Sequence, residues 1–447
     1  MIAFLGAATR YVRLPVRSAS PTAPSRFITT GQRLHRGSLV QHRFLTVTSR
    51  GVAIVCEGND RMPPTPLPDE TAEPEQRVTP LELFFDLVFV FALTQVTQFL
   101  AHDADAVHLL EGLAILTLVW WAWGCYAWLG NTAGSDDGLF RVTLLAAMAA
   151  MLIVAIAVPH AFGKDALAFG IAYCCVRVLH IAAYGVLARR DPALKPLVVR
   201  LGRAMVPVGL LLVAAGLFDG PVRAACWILA IGLDVGGLYL QGVDGWRVEA
   251  GHLAERHALI VIIALGESVV SIGVGAEEQP IDADLIAGIL LGIATAAALW
   301  WAYFDVVALV AERRFRRATG LERALIARDS YTYLHLPMVA GIILFSLGVK
   351  KTLPHPGDAL EAIPAVGLCG GVAVYFLAHV AFRLRNVRTL NRGRLLLSIV
   401  LFALIPIAME IPALASLAVV AVLSTGLMAY EFVHFHEARE RLRHALT

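Results

Sequence analysis

The chain has 447 residues, of which 58% are hydrophobic and only 16% charged, against about 45–50% apolar and about 25% charged in soluble domains. A mean hydropathy of +0.68 leaves more apolar surface than a water-soluble core can hide, which excludes an ordinary soluble enzyme or binding module. The net charge of +2 gives no reason to expect a nucleic-acid partner.

Residues 1–61 stand apart. All arginines up to Arg50 precede the first acid, Glu57, and the stretch is rich in Ser and Thr. Such a start resembles an organellar transit peptide; an internal start at Met62 accounts for it equally simply and is the preferred reading, with 1–61 expected to be disordered. A Pro- and acid-rich cytoplasmic tail follows at 62–78, and a basic one closes the chain at 437–447.

A helix needs roughly 20 apolar residues to cross a hydrocarbon core about 30 Å thick. Segments of that kind fall at 80–101, 109–130, 139–161, 165–188, 198–218, 222–243, 256–276, 284–310, 329–349, 359–384, 394–410 and 413–435. The fifth holds Arg203 and the eleventh is short. Cytoplasmic loops retain Lys and Arg. The loops after the even-numbered helices hold most of them, including Arg189, Arg190, Arg313, Arg314, Arg385 and Arg388, while the opposite loops hold Lys164, Arg223, Lys350 and Lys351. Both termini are therefore expected in the cytoplasm, with the chain in the plasma membrane and the bilayer as its principal partner.

Landmarks recur in order. Trp120-Trp121-Ala122-Trp123 in the second helix matches Trp300-Trp301-Ala302-Tyr303 in the eighth, the end of the fourth around His180 matches the end of the tenth around His379, and Arg200-Leu201-Gly202-Arg203 matches Asn391-Arg392-Gly393-Arg394. The pattern predicts an all-α integral membrane protein of about twelve helices in two parallel six-helix repeats, 79–243 and 250–436. Some transporters are built this way, with sites near the midplane between the halves.

Ionisable groups inside such spans cost roughly 2.5–3.5 kcal/mol each on insertion scales, so each needs a reason. Thr79-Pro80-Leu81-Glu82 has the spacing of a capping box with Pro at the first helical position, which accounts for Glu82. Asp86 lies one turn deeper on the same face and needs a cavity or a cation such as Arg177. Gln95 and Gln98 are suited to interhelical hydrogen bonds, and the repeat aligns Gln95 with Glu267. Glu267 stands in ALGESVVSIGVG, where Gly266, Gly273, Gly275, Ser268 and Ser271 supply close approach and hydroxyls for an ion or proton site. Glu255 and Arg256 are expected at the cytoplasmic surface, where a Glu complements the start of a helix.

Arg177 and His180 share a face, with Asp234 as counter-ion; they and His379 form the supporting polar set. Asp305, His335 and Glu410 are further buried-polar candidates. Trp120, Trp121, Trp123 and Trp128 are expected to form an aromatic belt and packing cluster, and the cysteines to be buried small hydrophobes. The histidines lack metal-ligand spacing, no nucleotide-binding or nucleophile motif is present, and every lysine lies in a loop or at a helix end. Neither a metal nor a retinal or other cofactor is expected.

TPLELFFDLVFVFALTQVTQFL at 79–100 and LAERHALIVIIALGESVVSIGVG at 253–275 resemble the two most recognisable segments of the bacterial low temperature requirement protein A family. The resemblance covers 78–436 and implies a polytopic membrane protein without supplying a reaction. Phe84-Phe85-Asp86 is also similar to the Phe-Ser-Asp motif of the duplicated six-helix potassium channels of endosomes and lysosomes; the Ser is missing and the seventh helix has no Phe-Asp pair, so conduction by that route is an analogy only. The residues point to a transporter or channel for an ion or small solute. A membrane enzyme acting on a lipid and a structural or sensory protein are the alternatives.

Overall fold

The computed structural model describes residues 45–48, 51–54, 77–103, 105–132, 138–240, 242–243, 245–277 and 279–434, which belong to two units, 1–71 and 72–447. In the first, β1 (Leu45–Thr48) pairs antiparallel with β2 (Gly51–Ile54), which departs from the disorder expected there. The rest of the leader, residues 62–76 and the tail at 437–447 lie outside the described residues.

The second unit is built from helices: α1 (Pro80–His102), α2 (Ala106–Thr132), α3 (Gly138–Ala157), α4 (Ala166–Arg190), α5 (Lys195–Leu217), α6 (Gly220–Leu240), α7 (Ala250–Ala276), α8 (Ala283–Arg317), α9 (Gly320–Thr352), α10 (Ala362–Val387), α11 (Arg392–Ala408) and α12 (Ala413–His434). Among the described residues, 11 spans are long and apolar enough to cross a bilayer. The exception is α11, whose 17 residues reach about 26 Å at about 1.5 Å per residue.

Side chains that satisfy orphan backbone donors set several starts. Thr79 and Glu82 form the expected capping box, Glu249 accepts from the His252 N–H, Asp282 from that of Leu285, and Asn391 from that of Arg394. The Glu249 cap starts α7 six residues earlier than the hydropathy suggests. Pro337 lies inside α9, and the turn before it, Ala327–Tyr333, is wound as a π-helix; proline offers no N–H and crowds the carbonyl four residues back. Two carbonyls of that segment take side-chain donors instead: Thr332 accepts from Trp120 Nε1 at 2.8 Å and Ser330 from His335 Nδ1 at 2.9 Å.

Helix neighbours recur six helices apart. α1 packs on α3, α3 on α4, α4 on α5, α5 on α6 and α2 on α6; likewise α7 packs on α9, α9 on α10, α10 on α11, α11 on α12 and α8 on α12. The periphery is apolar, with Leu210, Ile228, Leu229, Leu240, Val422 and Val433 exposed, as expected of surface that meets lipid rather than water.

The α9–α10 crossing depends on glycine. A Cβ on Gly341 would sit 2.6 Å from the Gly371 carbonyl oxygen, and one on Gly371 2.7 Å from that of Gly341, so the obstacle is backbone. Gly371→Ala is expected to force the helices apart and cost about 1–3 kcal/mol. Thermal unfolding in detergent checks this, and an unchanged midpoint would contradict the close packing.

Candidate intramembrane polar site

α1 and α7 run side by side in the same direction, and their polar residues meet in rungs: Glu82 with His252, Asp86 with Arg256, and Thr94 with Glu267. The first rung lies near the N-terminal ends of the pair. His252 Nε2 lies 3.0 Å from Glu82 Oε1, and its Nδ1 lies 3.3 Å from Asn131 Nδ2. The Asn131 amide is oriented by Glu249, whose N–H donates to Oδ1 and whose carbonyl accepts from Nδ2. Asn131 is therefore the donor to Nδ1, which fixes His252 as the neutral Nε2–H tautomer donating to Glu82. Glu82 thus does more than cap α1: it ties α1 to α7.

The second rung is a buried ion pair. Arg256 donates to Asp86 Oδ1 at 2.9 Å, and each side chain is 1% exposed. Trp123 Nε1 donates to the same oxygen at 3.0 Å, and the guanidinium lies 5.7 Å from the Trp123 ring centroid, within cation–π range. The partner of Asp86 is thus Arg256 rather than Arg177, and Arg256 is buried rather than at the surface; the early start of α7 carries it inward. Glu255 is exposed, as expected. The pair is incompletely satisfied, since Asp86 Oδ2 and Arg256 Nε and NH1 are buried without hydrogen-bond partners.

An apolar layer separates this rung from the third. Phe89, Leu93, Trp123 and Ile260 surround a void of about 10 Å³, at the lower limit for one water and without polar partners for it.

Beyond that layer stands Glu267, 2% exposed. Its oxygens meet hydroxyls, Thr94 Oγ1 at 2.5 Å and Ser271 Oγ at 3.1 Å, and Ser268 Oγ pairs with Ser346 Oγ at 2.9 Å alongside. Thr94 Oγ1 also lies 3.1 Å from the Val90 carbonyl. One hydroxyl proton cannot satisfy two acceptors, whereas a proton carried by Glu267 would satisfy the whole set. Gln95, aligned with Glu267 in sequence, is half-buried, and it is Thr94 that makes the contact; Gln98 is exposed. The α7 helix has a cavity near each end. One of about 450 Å³ is lined by Ala258, Glu255, Glu312 and Arg316; the other, about 360 Å³, by Gln98, Val274, Lys350 and Lys351. Glu267 lies about 13 Å beyond Ala258 and about 11 Å before Val274 at about 1.5 Å rise per residue.

The remaining polar candidates belong to separate clusters. Arg177 pairs with Asp234, which also accepts from Tyr173 at 3.1 Å, and Arg177 NH1 lies 2.7 Å from Cys125 Sγ. His180 Nε2 donates to the Cys125 carbonyl at 2.9 Å. In the second half Arg394 donates to Glu431 at 2.8 Å and to His379 Nδ1 at 3.0 Å; Glu431 drew no notice in the sequence because it sits at a helix end. His335 accepts from Tyr303 at 2.8 Å. Asp305 is half-buried, Glu410 is exposed, and the Trp120–Trp128 cluster is buried as packing rather than set out as an interfacial belt. Cys175 is exposed and Cys174 and Cys226 are only partly buried, so the cysteines are not uniformly buried hydrophobes. Among the described residues no group of three His, Cys, Asp or Glu side chains could hold a metal ion.

Residues 77–429 match the family described as "Bacterial low temperature requirement A protein (LtrA)". The chain is 30% identical over 311 residues to an uncharacterized protein of Rhizobium meliloti (strain 1021), an alignment covering 66% of this chain and 74% of the other. No solved structure matches it significantly.

Proposed function

The chain belongs to the bacterial low temperature requirement A family, and on that premise we propose that it is a transporter or channel for an ion or small solute. Its working group is Glu267, seated where the first and seventh helices meet. One observation carries the reading: a buried carboxylate whose hydrogen-bond partners are hydroxyls lies between cavities near the two ends of the same helix. An ionised carboxylate there is costly unless something compensates it. A proton, or a small cation on the carboxylate and hydroxyl oxygens, does so, and oxygen donors suit hard cations. The recurrence of helix contacts six helices apart supports two parallel repeats with the α1–α7 seam between them. The clustering of arginine in alternate loops supports cytoplasmic termini.

The Asp86–Arg256 pair and the apolar layer above it close one approach to Glu267, so the arrangement is shut on that side. The test is reconstitution into liposomes with flux measured over protons and a panel of monovalent and divalent cations. Saturable flux of one of them above protein-free vesicles is expected. Flux no greater than in protein-free vesicles for the whole panel would sink the reading.

A further inference from the structure

Another cavity, of about 70 Å³, lies away from the α1–α7 seam, lined largely by α2, α4, α5 and α6. At its outer end Arg200 and Trp246 are half-buried; at its inner end His180 and Asp234 are buried. The crevice therefore runs from the surface into the first helical group. Leu197, Leu201, Met205 and Leu238 make much of its wall apolar, so it suits an apolar molecule, and the bilayer these helices are long and apolar enough to cross is the natural source of one.

Two independent features mark it as a site rather than a packing gap. First, His180 is 1% exposed and lines the cavity, yet only Nε2 is engaged, donating to the Cys125 carbonyl; Nδ1 has no partner. With the proton committed to Nε2, Nδ1 is a bare acceptor that requires a donor. Three residues earlier on the same face, Arg177 Nε is a buried donor without a partner. Second, Gly124 lines the cavity and is buried, yet a Cβ built on it meets nothing within 4 Å. Buried glycines such as Gly341 and Gly371 mark backbone contact, whereas at the buried Gly124 the missing side chain leaves room.

Asp234 is already matched by Arg177 and Tyr173, so the inner end asks for no cation. A hydroxyl can donate to His180 Nδ1, the unpartnered atom of a residue that lines the cavity, and it brings no charge to bury. The tryptophan and aliphatic walls accept an apolar body. We propose that this crevice binds a neutral hydroxylated amphiphile from the membrane, a long-chain alcohol or a phenol on an apolar tail, with its hydroxyl on His180 and its chain over Gly124. This site is separate from Glu267 and stands or falls independently of transport.

The probe is a terminally brominated dodecanol, with bromododecane as the control lacking the hydroxyl. Bromine quenches tryptophan fluorescence, and Trp121, Trp128 and Trp246 line the crevice. In the purified full-length protein the alcohol is expected to quench saturably and to bind roughly tenfold more tightly than the alkane, the effect of one buried hydrogen bond. Gly124→Val should fill the space and weaken binding roughly tenfold or more while leaving the melting temperature unchanged or raised. His180→Phe should abolish the preference for alcohol over alkane; should that variant fail to fold, Gly124→Val carries the test alone. Equal affinity for alcohol and alkane, non-saturable quenching, or unchanged binding in Gly124→Val would each overturn the proposal, leaving the crevice as a place for water only.

Discussion

Replacing Arg256 by Met is expected to destabilise the protein by about 3–5 kcal/mol, the range for removing one member of a buried ion pair. The double replacement Asp86→Leu with Arg256→Met should recover most of that loss. The asymmetry follows from the geometry. Asp86 is buried beside Phe85 and Phe89, so removing the guanidinium leaves a carboxylate with only Trp123 Nε1 to solvate it. The intact pair is nevertheless not strongly stabilising, because one carboxylate oxygen and two guanidinium nitrogens are buried without partners and their desolvation offsets the Coulombic gain. Apolar side chains carry no such cost. Unfolding titrations of the wild type, both single variants and the double variant form the cycle that measures this. If Arg256→Met alone is as stable as the double variant, the carboxylate is compensated by something other than Arg256.

The sequence announced Asp86 but not its partner, and the reason is an element boundary. Hydropathy places the start of the seventh helix at Arg256, because His252, Glu255 and Arg256 depress the average. The Glu249 side chain, by accepting from the His252 N–H, starts the helix at Ala250 and carries Arg256 one and a half turns inside. A cue was present: Glu82 and Asp86 are four residues apart, as are His252 and Arg256, so two parallel helices offer acceptors on one and donors on the other at the same spacing. By contrast, the capping box at Thr79 and the Arg177–Asp234 pair were legible, the first because caps are local. The second could be read because few carboxylates lie inside the spans of the first half. Local rules also located the helices well, while α11 shows their limit: its 17 residues end at Ala408, just beyond Pro406. Which polar residues share a rung depends on helix packing, and hydropathy carries no information about that.

Glu267→Gln is expected to leave folding intact and to reduce flux at least about 100-fold, equivalent to about 2.7 kcal/mol in the transport barrier. Gln is isosteric with the protonated acid; its amide can donate to Thr94 Oγ1 and its carbonyl can accept from Ser271, so the hydrogen bonds of the site survive while the charge does not. Ser271→Ala, which removes one oxygen ligand and keeps the charge, should instead raise the half-saturating ion concentration several-fold, the scale of one hydrogen bond, with a smaller change in maximal rate. Asp86→Asn should act mainly on stability, since its carboxylate is already committed to Arg256. This ordering separates a coordinating carboxylate from a structural one more sharply than any single variant. A folded Glu267→Gln protein with wild-type flux would remove Glu267 from the pathway. The apolar layer bears on the kinetic class as well: with a void of only about 10 Å³ between the Asp86 rung and Glu267, no water column joins the two in this state. On the proposed function, movement past it requires this layer to open. That requirement favours the slow, saturating kinetics of a transporter over the rates of an open channel.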